Sequence, residues 1–415
     1  MSTSTDPGAA TPQATTPTPA PDSALLLPAE ADGCPFDPPS AYRQAADRSP
    51  VTRTRLWDGS SCWLVTGYQE VRTVLADQRF SADGLRPGFP FLSPGRRQLA
   101  TNTPGFIRMD DPEHARLRRM LTTEFLVKRV EALRPALQRI VDDTLDRMLA
   151  AGGPVDLVTE FALPIPSLAI CLLLGVPYED HEFFQQQSRI LLDTRSPGPA
   201  VSDAQRSLLS YLGDLATAKR RAPTDDILSR LAVRDDLATE EAASMALLLL
   251  IAGHETTANM TALSTLALLR NPAQAARLRA AGPAEAKAAV EELLRYLTIV
   301  QAGLPRVATE DLELGGTPIR AGDGLLCMLS TANRDESVFA DGSELDLDRD
   351  ARRHLAFGFG VHQCLGQPLA RAELQIALHT LFTRLPQLRL AVDEEQLSYR
   401  TTMVVHGVDA LPVSW

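Results

Sequence analysis

Cysteine is scarce in this chain, and its spacing excludes several classes of protein. The five cysteines among 415 residues stand at positions 34, 62, 171, 327 and 364. Gaps of this size argue against a disulfide framework. The chain is therefore expected to work in a reducing compartment, the cytoplasm.

Long apolar runs and an excess of positive charge are also lacking. No basic residue precedes Arg43, and the first apolar cluster spans only residues 24–27. We therefore expect neither a signal peptide nor a membrane anchor, and no membrane partner. The net charge of −11 and a pI near 5.2 disfavour binding to nucleic acid.

The remaining composition indicates a large folded body behind a polar tail. Apolar residues make up 44% of the chain, enough for a sizeable core. Residues 1–30 are rich in Ser, Thr, Ala and Pro, which predicts a disordered N-terminal tail. Residues 31–415 are expected to form a single domain.

Periodicity along the chain predicts mainly helices with a few small sheets. Residues 52–66 alternate apolar and polar side chains around an Asp-Gly turn, which is typical of a β-hairpin. Residues 181–192 and 202–221 predict two amphipathic helices, and residues 384–415 predict terminal hairpins. Residues 81–107 show no period, so we expect a long functional loop there.

The most informative stretch is residues 357–370, FGFGVHQCLGQPLA. Cys364 stands just before a helical pattern of apolar residues, and Pro368 suits a first helical turn. Free N–H groups and the positive end of the helix dipole would favour a thiolate at Cys364. Gly358 and Gly366 leave room for a large flat group against the backbone.

Three other interpretations of this stretch are weaker. Gly358 and Gly360 could belong to a dinucleotide-binding fingerprint, but Gln363 occupies the third glycine position. His362 and Cys364 could hold zinc, but no second Cys/His pair lies nearby at finger spacing. An inert buried cysteine is the usual default for an isolated cysteine, but it leaves the flanking residues unexplained.

The stretch resembles the haem-binding signature of the cytochrome P450 family, Phe-Gly-x-Gly-x-His/Arg-x-Cys-x-Gly, at every defining position. The resemblance implies the P450 fold, mainly α with small β-sheets, over about residues 34–415. It also implies that Cys364 is the axial thiolate ligand of a haem b, with Phe357 and Gly366 beside the cofactor. No Cys-x-x-Cys-His segment is present, so the haem would not be covalently attached.

A second motif interrupts the longest helical pattern, residues 239–269. Residues 252–257, AGHETT, place a glycine, an acid and two β-branched alcohols where a buried helix is predicted. A locally satisfied kink is one explanation. The family's oxygen-binding motif is the other, and it implies a helix distorted into a groove, with Ala252 and Gly253 at the cofactor. Glu255 and Thr256 would then be the catalytic, proton-relaying residues.

Several basic residues are assigned to the haem propionates by the same resemblance. His114 and Arg118 are four residues apart and share a helical face, although a solvated basic face would give the same spacing. The family also places an arginine at the position of Arg306 and a basic residue at that of His362. His354, ten residues before the cysteine, is a further candidate.

A buried ion pair is expected in the segment 291–296, EELLRY. Spacing alone allows Glu291 or Glu292 to pair with Arg295, and an ordinary surface pair is the default. The family's Glu-x-x-Arg motif selects Glu292 and Arg295 as a structural pair. Arg349 is the candidate for its third member.

The expected activity is monooxygenation of a hydrophobic small molecule, a polyketide, macrolide or other secondary metabolite, by a soluble actinomycete-type P450. Electrons from NAD(P)H would arrive through a ferredoxin reductase and a ferredoxin, and O₂ would be the co-substrate. The acidic ferredoxin would dock on a basic patch for which Arg116, Arg119 and Arg371 are candidates. A peroxide-driven P450 and a non-catalytic haem-thiolate sensor are the alternatives, and both leave Glu255 and Thr256 without a purpose.

Overall fold

A computed structural model describes residues 25–29, 32–102 and 105–415, so most of the predicted tail lies outside the described residues. The described residues contain fourteen α-helices: α1 (Ser40–Arg48), α2 (Tyr68–Ala76), α3 (Pro94–Asn102), α4 (Glu113–Thr122), α5 (Val127–Ala151), α6 (Pro164–Leu174), α7 (His181–Leu192), α8 (Gly198–Arg221), α9 (Ile227–Ala232), α10 (Thr239–Arg270), α11 (Pro272–Ala280), α12 (Pro283–Leu297), α13 (Leu329–Ala332) and α14 (Gln367–Arg384).

The strands are short and form three small sheets. Within the described residues they are β1 (Leu26–Leu27), β2 (Val51–Leu56), β3 (Ser61–Val65), β4 (Phe80–Ser81), β5 (Val155–Asp156), β6 (Leu304–Ala308), β7 (Leu312–Leu314), β8 (Thr317–Ile319), β9 (Gly324–Cys327), β10 (Arg389–Leu390) and β11 (Pro412–Ser414). The largest sheet has the order β1-β2-β3-β9-β6-β4, and β10-β11-β5 and β7-β8 form the others. The fold is thus mainly α with small β-sheets, as the sequence predicted.

Helix α10 is the centre of the helical core and packs against α6, α8 and α14. It is 32 residues long, and every residue from Ala258 to Leu268 is buried. Polar residues are tolerated there because Thr261 and Thr265 donate their hydroxyl protons to carbonyls four residues earlier, at 2.8 and 2.9 Å. In the part of the chain that the structure describes, no helix combines the length and apolarity needed to span a membrane.

The local sequence patterns predicted most of the helices and strands at their observed positions, and the differences have physical reasons. The β2–β3 hairpin pairs Val51 with Val65, and α7 and α8 lie where two amphipathic helices were predicted. Residues 81–107 are not one long loop, because α3 forms within them and packs on α8. The expected terminal hairpins reduce to the β10–β11 pair and an isolated bridge. The described residues 25–29 include β1, which pairs with β2. Regular structure therefore begins before residue 31, where the folded domain was expected to start.

Helix α12 fixes the chain that leads to the cysteine through a fully buried ion pair. Arg295 donates to both carboxylate oxygens of Glu292, at 2.7 and 2.8 Å. Its remaining N–H groups donate to the backbone carbonyls of Asn333, Gly342 and Glu344. The Nε of Arg349 donates to Glu292 at 3.1 Å, so the structure brings together the three residues predicted as the structural group.

Replacing Glu292 by Ala should therefore destabilise the protein strongly. The change leaves the buried Arg295 charge without its partner, which typically costs about 3–5 kcal/mol. A urea or thermal unfolding curve of the variant measures this loss. Lys287→Ala, an exposed substitution on the same helix, serves as the control and should shift the curve little. Equal curves for Glu292→Ala and the wild type would contradict a stabilising role for this network.

A second network joins α12 to the segment before the cysteine and to α14. Glu291 accepts two hydrogen bonds from Arg371, at 2.6 and 2.9 Å, and lies 3.0 Å from Nε2 of His354. Nδ1 of His354 accepts from the N–H of Ala356. Both ring nitrogens of His354 are thus used within the protein, which corrects its assignment to the cofactor: it positions the chain ahead of Cys364.

Glu291 should make the stability of the protein depend on pH in the acid range. Hydrogen bonds from His354 and Arg371 outweigh burial and lower its pKa from an ordinary value of 4.5 to about 2. The carboxylate therefore contributes stability above pH 4.5 that is lost as the pH falls towards 2, about 3 kcal/mol in all. Glu291→Gln should be less stable than the wild type at pH 6, and this difference should shrink between pH 5 and 3.

Unfolding by urea, followed at a series of pH values for both proteins, checks this expectation. Glu285→Gln, an exposed change in the first turn of α12, is the matched control. A difference between Glu291→Gln and the wild type that stays constant with pH would show that the carboxylate is not responsible.

Candidate functional site

The cysteine loop is built by close backbone approaches that only glycine permits. Gly358 and Gly360 have φ values of +69° and +73°, in the left-handed region that favours glycine. A side chain on Gly360 would lie 2.2 Å from the carbonyl oxygen of Leu75, so the loop packs directly on α2. The N–H of Cys364 donates to the carbonyl of Phe357 at 2.8 Å, which closes the loop.

Cys364 lies three residues before α14 and is the exposed one of the five cysteines. The backbone N–H groups of Gly366 and Gln367 and the charges of Arg118 and Arg371 favour its thiolate. Desolvation by the protein atoms around the sulfur is the largest influence and acts in the opposite direction, so the pKa of the thiol is raised overall although the residue has exposed surface. The helix start alone therefore does not deliver the thiolate that the sequence suggested. A bound metal cation would do so, because a metal-coordinated thiol is deprotonated.

Two histidines predicted for the cofactor meet beside this loop. The rings of His114, on α4, and His362 lie 4.0 Å apart. His114 Nδ1 lies 3.0 Å from a carboxylate oxygen of Asp111, whereas His114 Nε2 and His362 Nδ1 are buried and have no hydrogen-bond partner. Burial lowers the pKa of His362 to about 3, and the charges of Arg306 and His114 add to the effect. His362 is therefore a neutral ring with an unused polar atom.

Buried and half-buried arginines lie near the two histidines without matching acids. Arg306, on β6, is 4% exposed, and within the described residues its side chain donates to the carbonyl of Pro305 alone. Arg118 is half-buried and donates to the carbonyl of Gln363 in the cysteine loop. Among the described residues, no carboxylate forms an ion pair with Arg118, Arg306 or the half-buried Arg108. Burial, together with the charges of Arg96 and Arg306, lowers the pKa of Arg108 to about 9.

This donor set fits a haem. A buried guanidinium without a partner is costly, and the propionates of a haem would supply the missing negative charge. The propionates would also form hydrogen bonds with the two imidazole nitrogens that have no partner in the protein. The accessible sulfur of Cys364 is suited to be an axial ligand of the iron. No cluster of His, Cys, Asp and Glu suited to a bare metal ion occurs in the described chain, so a metal bound by several side chains does not compete with this interpretation.

The second motif lies on α10, which runs without a break through residues 252–257. The expected distortion of the helix is absent, and the Thr256 hydroxyl donates to the carbonyl of Ala252, 2.7 Å away. Ala252 is exposed although the helix around it is largely buried. Gly253 is half-buried, and a side chain there would lie 2.9 Å from Ile170, so glycine lets α10 pack closely on α6. Its place at the cofactor stays a prediction.

The acid of this motif is part of a network that sequence reasoning missed. The side chain of Glu255 is 1% exposed, and one of its oxygens accepts from Arg400 at 3.1 Å and from Asn259 at 3.3 Å. Its other oxygen has no hydrogen-bond partner and lies 4.0 Å from Nε2 of His254 and from Nε of Arg189. Arg400 also lies 3.6 Å from the exposed Asp409.

His254 lies beside this network as a neutral ring whose Nε2 has no hydrogen-bond partner. Its Nδ1 lies 2.6 Å from the carbonyl of Leu250, so Nδ1 must carry the proton and donate it. Burial lowers the pKa of His254, which leaves Nε2 unprotonated and facing Glu255. Arg400 is 145 residues from Glu255 in the sequence, so no local pattern could have predicted the contact.

A cavity of about 260 Å³ lies against one face of α10. Its walls come from residues 89–108, the 300–305 segment and Val404, together with Thr194, Gln205 and four residues of α10. The first of these segments overlaps residues 81–107, where the sequence predicted a long functional loop, and Gln205 belongs to the predicted helix 202–221. The walls are mostly apolar, and Arg96 and Arg108 are the charged residues among them.

Comparison with known proteins agrees with this geometry. Residues 286–406 match the family model described as Cytochrome P450. Cytochrome P450-SU2 of Streptomyces griseolus is 63% identical over 397 residues, covering 95% of this chain and 98% of that protein. Pentalenic acid synthase of Streptomyces avermitilis is 50% identical, covering 92% of this chain and 95% of its own.

The solved structures give the same result. The crystal structure of mycinamicin VIII C21 methyl hydroxylase from Micromonospora griseorubida, bound to mycinamicin VIII, superposes with a TM-score of 0.88 at 41% identity. The match covers 94% of this chain and 100% of that one. The unpaired cations, the accessible cysteine and these full-length similarities lead to one conclusion: the chain belongs to the cytochrome P450 family and is a P450 monooxygenase.

Proposed function

We propose that this enzyme binds haem b between α10 and the cysteine loop, with Cys364 as the axial thiolate. The observation that carries the proposal is the group of buried, unpaired cations next to an accessible cysteine sulfur. Arg118 and Arg306 would neutralise the two propionates. His114 and His362 would donate or accept hydrogen bonds through the nitrogens that have no partner in the protein. Phe357 and Gly366 would lie beside the ring, and Ala252 would face it from α10.

Bound haem supplies the iron at which dioxygen is activated. The protein must deliver two protons for each oxygen atom that leaves as water, and it must keep bulk water away from the reaction. Thr256 presents a hydroxyl one turn above Ala252, and Glu255 is the adjacent buried acid. Arg400 connects Glu255 to the exposed Asp409, which supports a path for protons from solvent to the carboxylate.

The substrate is a hydrophobic small molecule, consistent with the mainly apolar cavity. Among relatives, one is named for pentalenic acid and another for hydroxylating mycinamicin VIII. A secondary metabolite is accordingly the proposed substrate class. A peroxide-driven enzyme or a haem sensor would not need a buried acid and an alcohol beside the cavity, so both alternatives are less favoured.

A ferredoxin is the proposed electron donor, and the structure changes the surface expected to bind it. Arg116 forms ion pairs with Glu113 and Glu241, and Arg371 is paired with Glu291, so these two charges are compensated within the protein. Arg119 is exposed and has no ion pair within the described chain. Val361, 45% exposed in the cysteine loop, adds an apolar contact on the same side.

The thiolate assignment is tested by the difference spectrum of the reduced protein with carbon monoxide. The wild type should show the strongly red-shifted Soret band of thiolate-ligated haem. Cys364→Ser should lose that band, because a serine hydroxyl does not replace the thiolate. Cys171→Ser, a buried cysteine of α6, is the control and should keep it. A wild-type band at the shorter wavelength of other haem proteins would refute the proposed ligand.

The proton-delivery role is tested by Thr256→Ala, assayed with NADPH, a bacterial ferredoxin and its reductase. Loss of the hydroxyl should divert electrons from product, raising the hydrogen peroxide released per NADPH severalfold. Thr261→Ala removes a hydroxyl that makes the same bond to a carbonyl four residues earlier, so it is a matched control. Unchanged coupling in Thr256→Ala would remove Thr256 from the mechanism, and equal turnover with peroxide alone would favour the peroxide-driven alternative.

A further inference from the structure

Arg96 and Arg108 project into the proposed substrate cavity from two different segments. Arg96 is on α3, and within the described residues its side chain makes a single hydrogen bond, to the carbonyl of Leu191 at 3.4 Å. The guanidinium of Arg108 lies over the ring of Phe89, 5.3 Å from its centroid. Burial lowers the pKa of both groups, yet an arginine keeps its charge in a protein. The cavity therefore holds two positive charges.

Nothing within the described chain compensates these charges. None of the residues that line the cavity is acidic, and neither arginine forms an ion pair. The contrast with Arg97, the next residue on α3, is informative, because Arg97 is exposed and pairs with Asp58. Both guanidinium groups are half-buried in an otherwise apolar wall with no acid among the lining residues, so a negative partner from outside the chain would stabilise them.

The haem propionates do not account for both arginines. A haem carries two propionates, and Arg118 and Arg306 already match their two charges. Arg108 lines the cavity and is close enough to both Arg306 and Arg96 for their charges to act on it. The positive charge of Arg96 is left over, on the side of the cavity where α3 approaches α7.

We propose that Arg96, assisted by Arg108, binds an anionic group of the substrate, and that the substrate class is therefore a hydrophobic organic acid. The inference rests on the proposed function, because it assumes that this cavity is the substrate site. A guanidinium binds a carboxylate through two parallel hydrogen bonds, which fixes orientation as well as affinity. The acid group held at α3 would direct the apolar remainder of the molecule along α10 towards the haem.

The test uses probes that bind any accessible haem iron through an imidazole nitrogen. These are ω-(imidazol-1-yl)alkanoic acids of 8, 10 and 12 carbons and their methyl esters, titrated into the holoenzyme while the Soret shift is recorded. The wild type should bind at least one acid about tenfold or more tighter than its ester, since a charge-assisted hydrogen bond in a buried site has this effect. Arg96→Met should remove most of the preference and leave ester binding unchanged.

Arg97→Met is the matched control, because it removes a neighbouring charge of α3 that lies outside the cavity, and it should keep the preference for the acid. Arg96→Lys should retain part of it. Equal affinity for acid and ester at every chain length in the wild type would overturn the proposal, whether or not the variants fold. An equal loss of the preference for the acid in Arg96→Met and Arg97→Met would also overturn the proposal. Free imidazole is titrated first, so that failure of this proposal can be distinguished from failure of the proposed function. No Soret shift with imidazole would refute the proposed haem site itself.

Discussion

Buried positive charge without protein acids is the constraint on which this structure depends. Arg118, Arg306 and Arg108 lie near two histidines, each of which has one ring nitrogen without a partner, and Arg306 is fully buried while the other two are half-buried. Such an arrangement is unfavourable in an isolated chain and favourable once an anion with two carboxylates is bound. The stability of this region is therefore tied to the cofactor, while the stability of the rest comes from the apolar core around α10.

Two acids of α12 follow the opposite rule and are paired within the protein. Glu291 and Glu292 are adjacent on α12, and each forms ion pairs with basic side chains from separate parts of the chain. One network holds the segment 333–349, and the other holds His354 and α14. The cysteine loop lies between these attachments, so its position is set by charged contacts on both flanks and by the tight approach of Gly360 to α2.

Sequence reasoning succeeded where the information is local. The β2–β3 hairpin, the long helix and the cysteine loop before a helix all depend on neighbouring residues, and the Glu292–Arg295 pair depends on helical spacing. It failed where a side chain's partner is far away in the sequence. His354 was assigned to the cofactor by resemblance, but Glu291 and the N–H of Ala356 occupy its two ring nitrogens. Arg96 and Arg108 stand in a segment without periodicity, and only the fold shows that both reach the cavity.

The double attachment of α12 has a consequence for the order in which the protein forms. Both flanks of the cysteine loop are held by contacts between residues roughly 40–80 positions apart, and α14 and Arg400 follow the loop in the chain. Contacts of such separation form late, because the intervening chain must be closed first. During synthesis the cysteine loop cannot be held on both flanks until Arg371 and the start of α14 have left the ribosome. Cofactor insertion is accordingly expected after α14 has been made, when α10 and its neighbours are already able to pack.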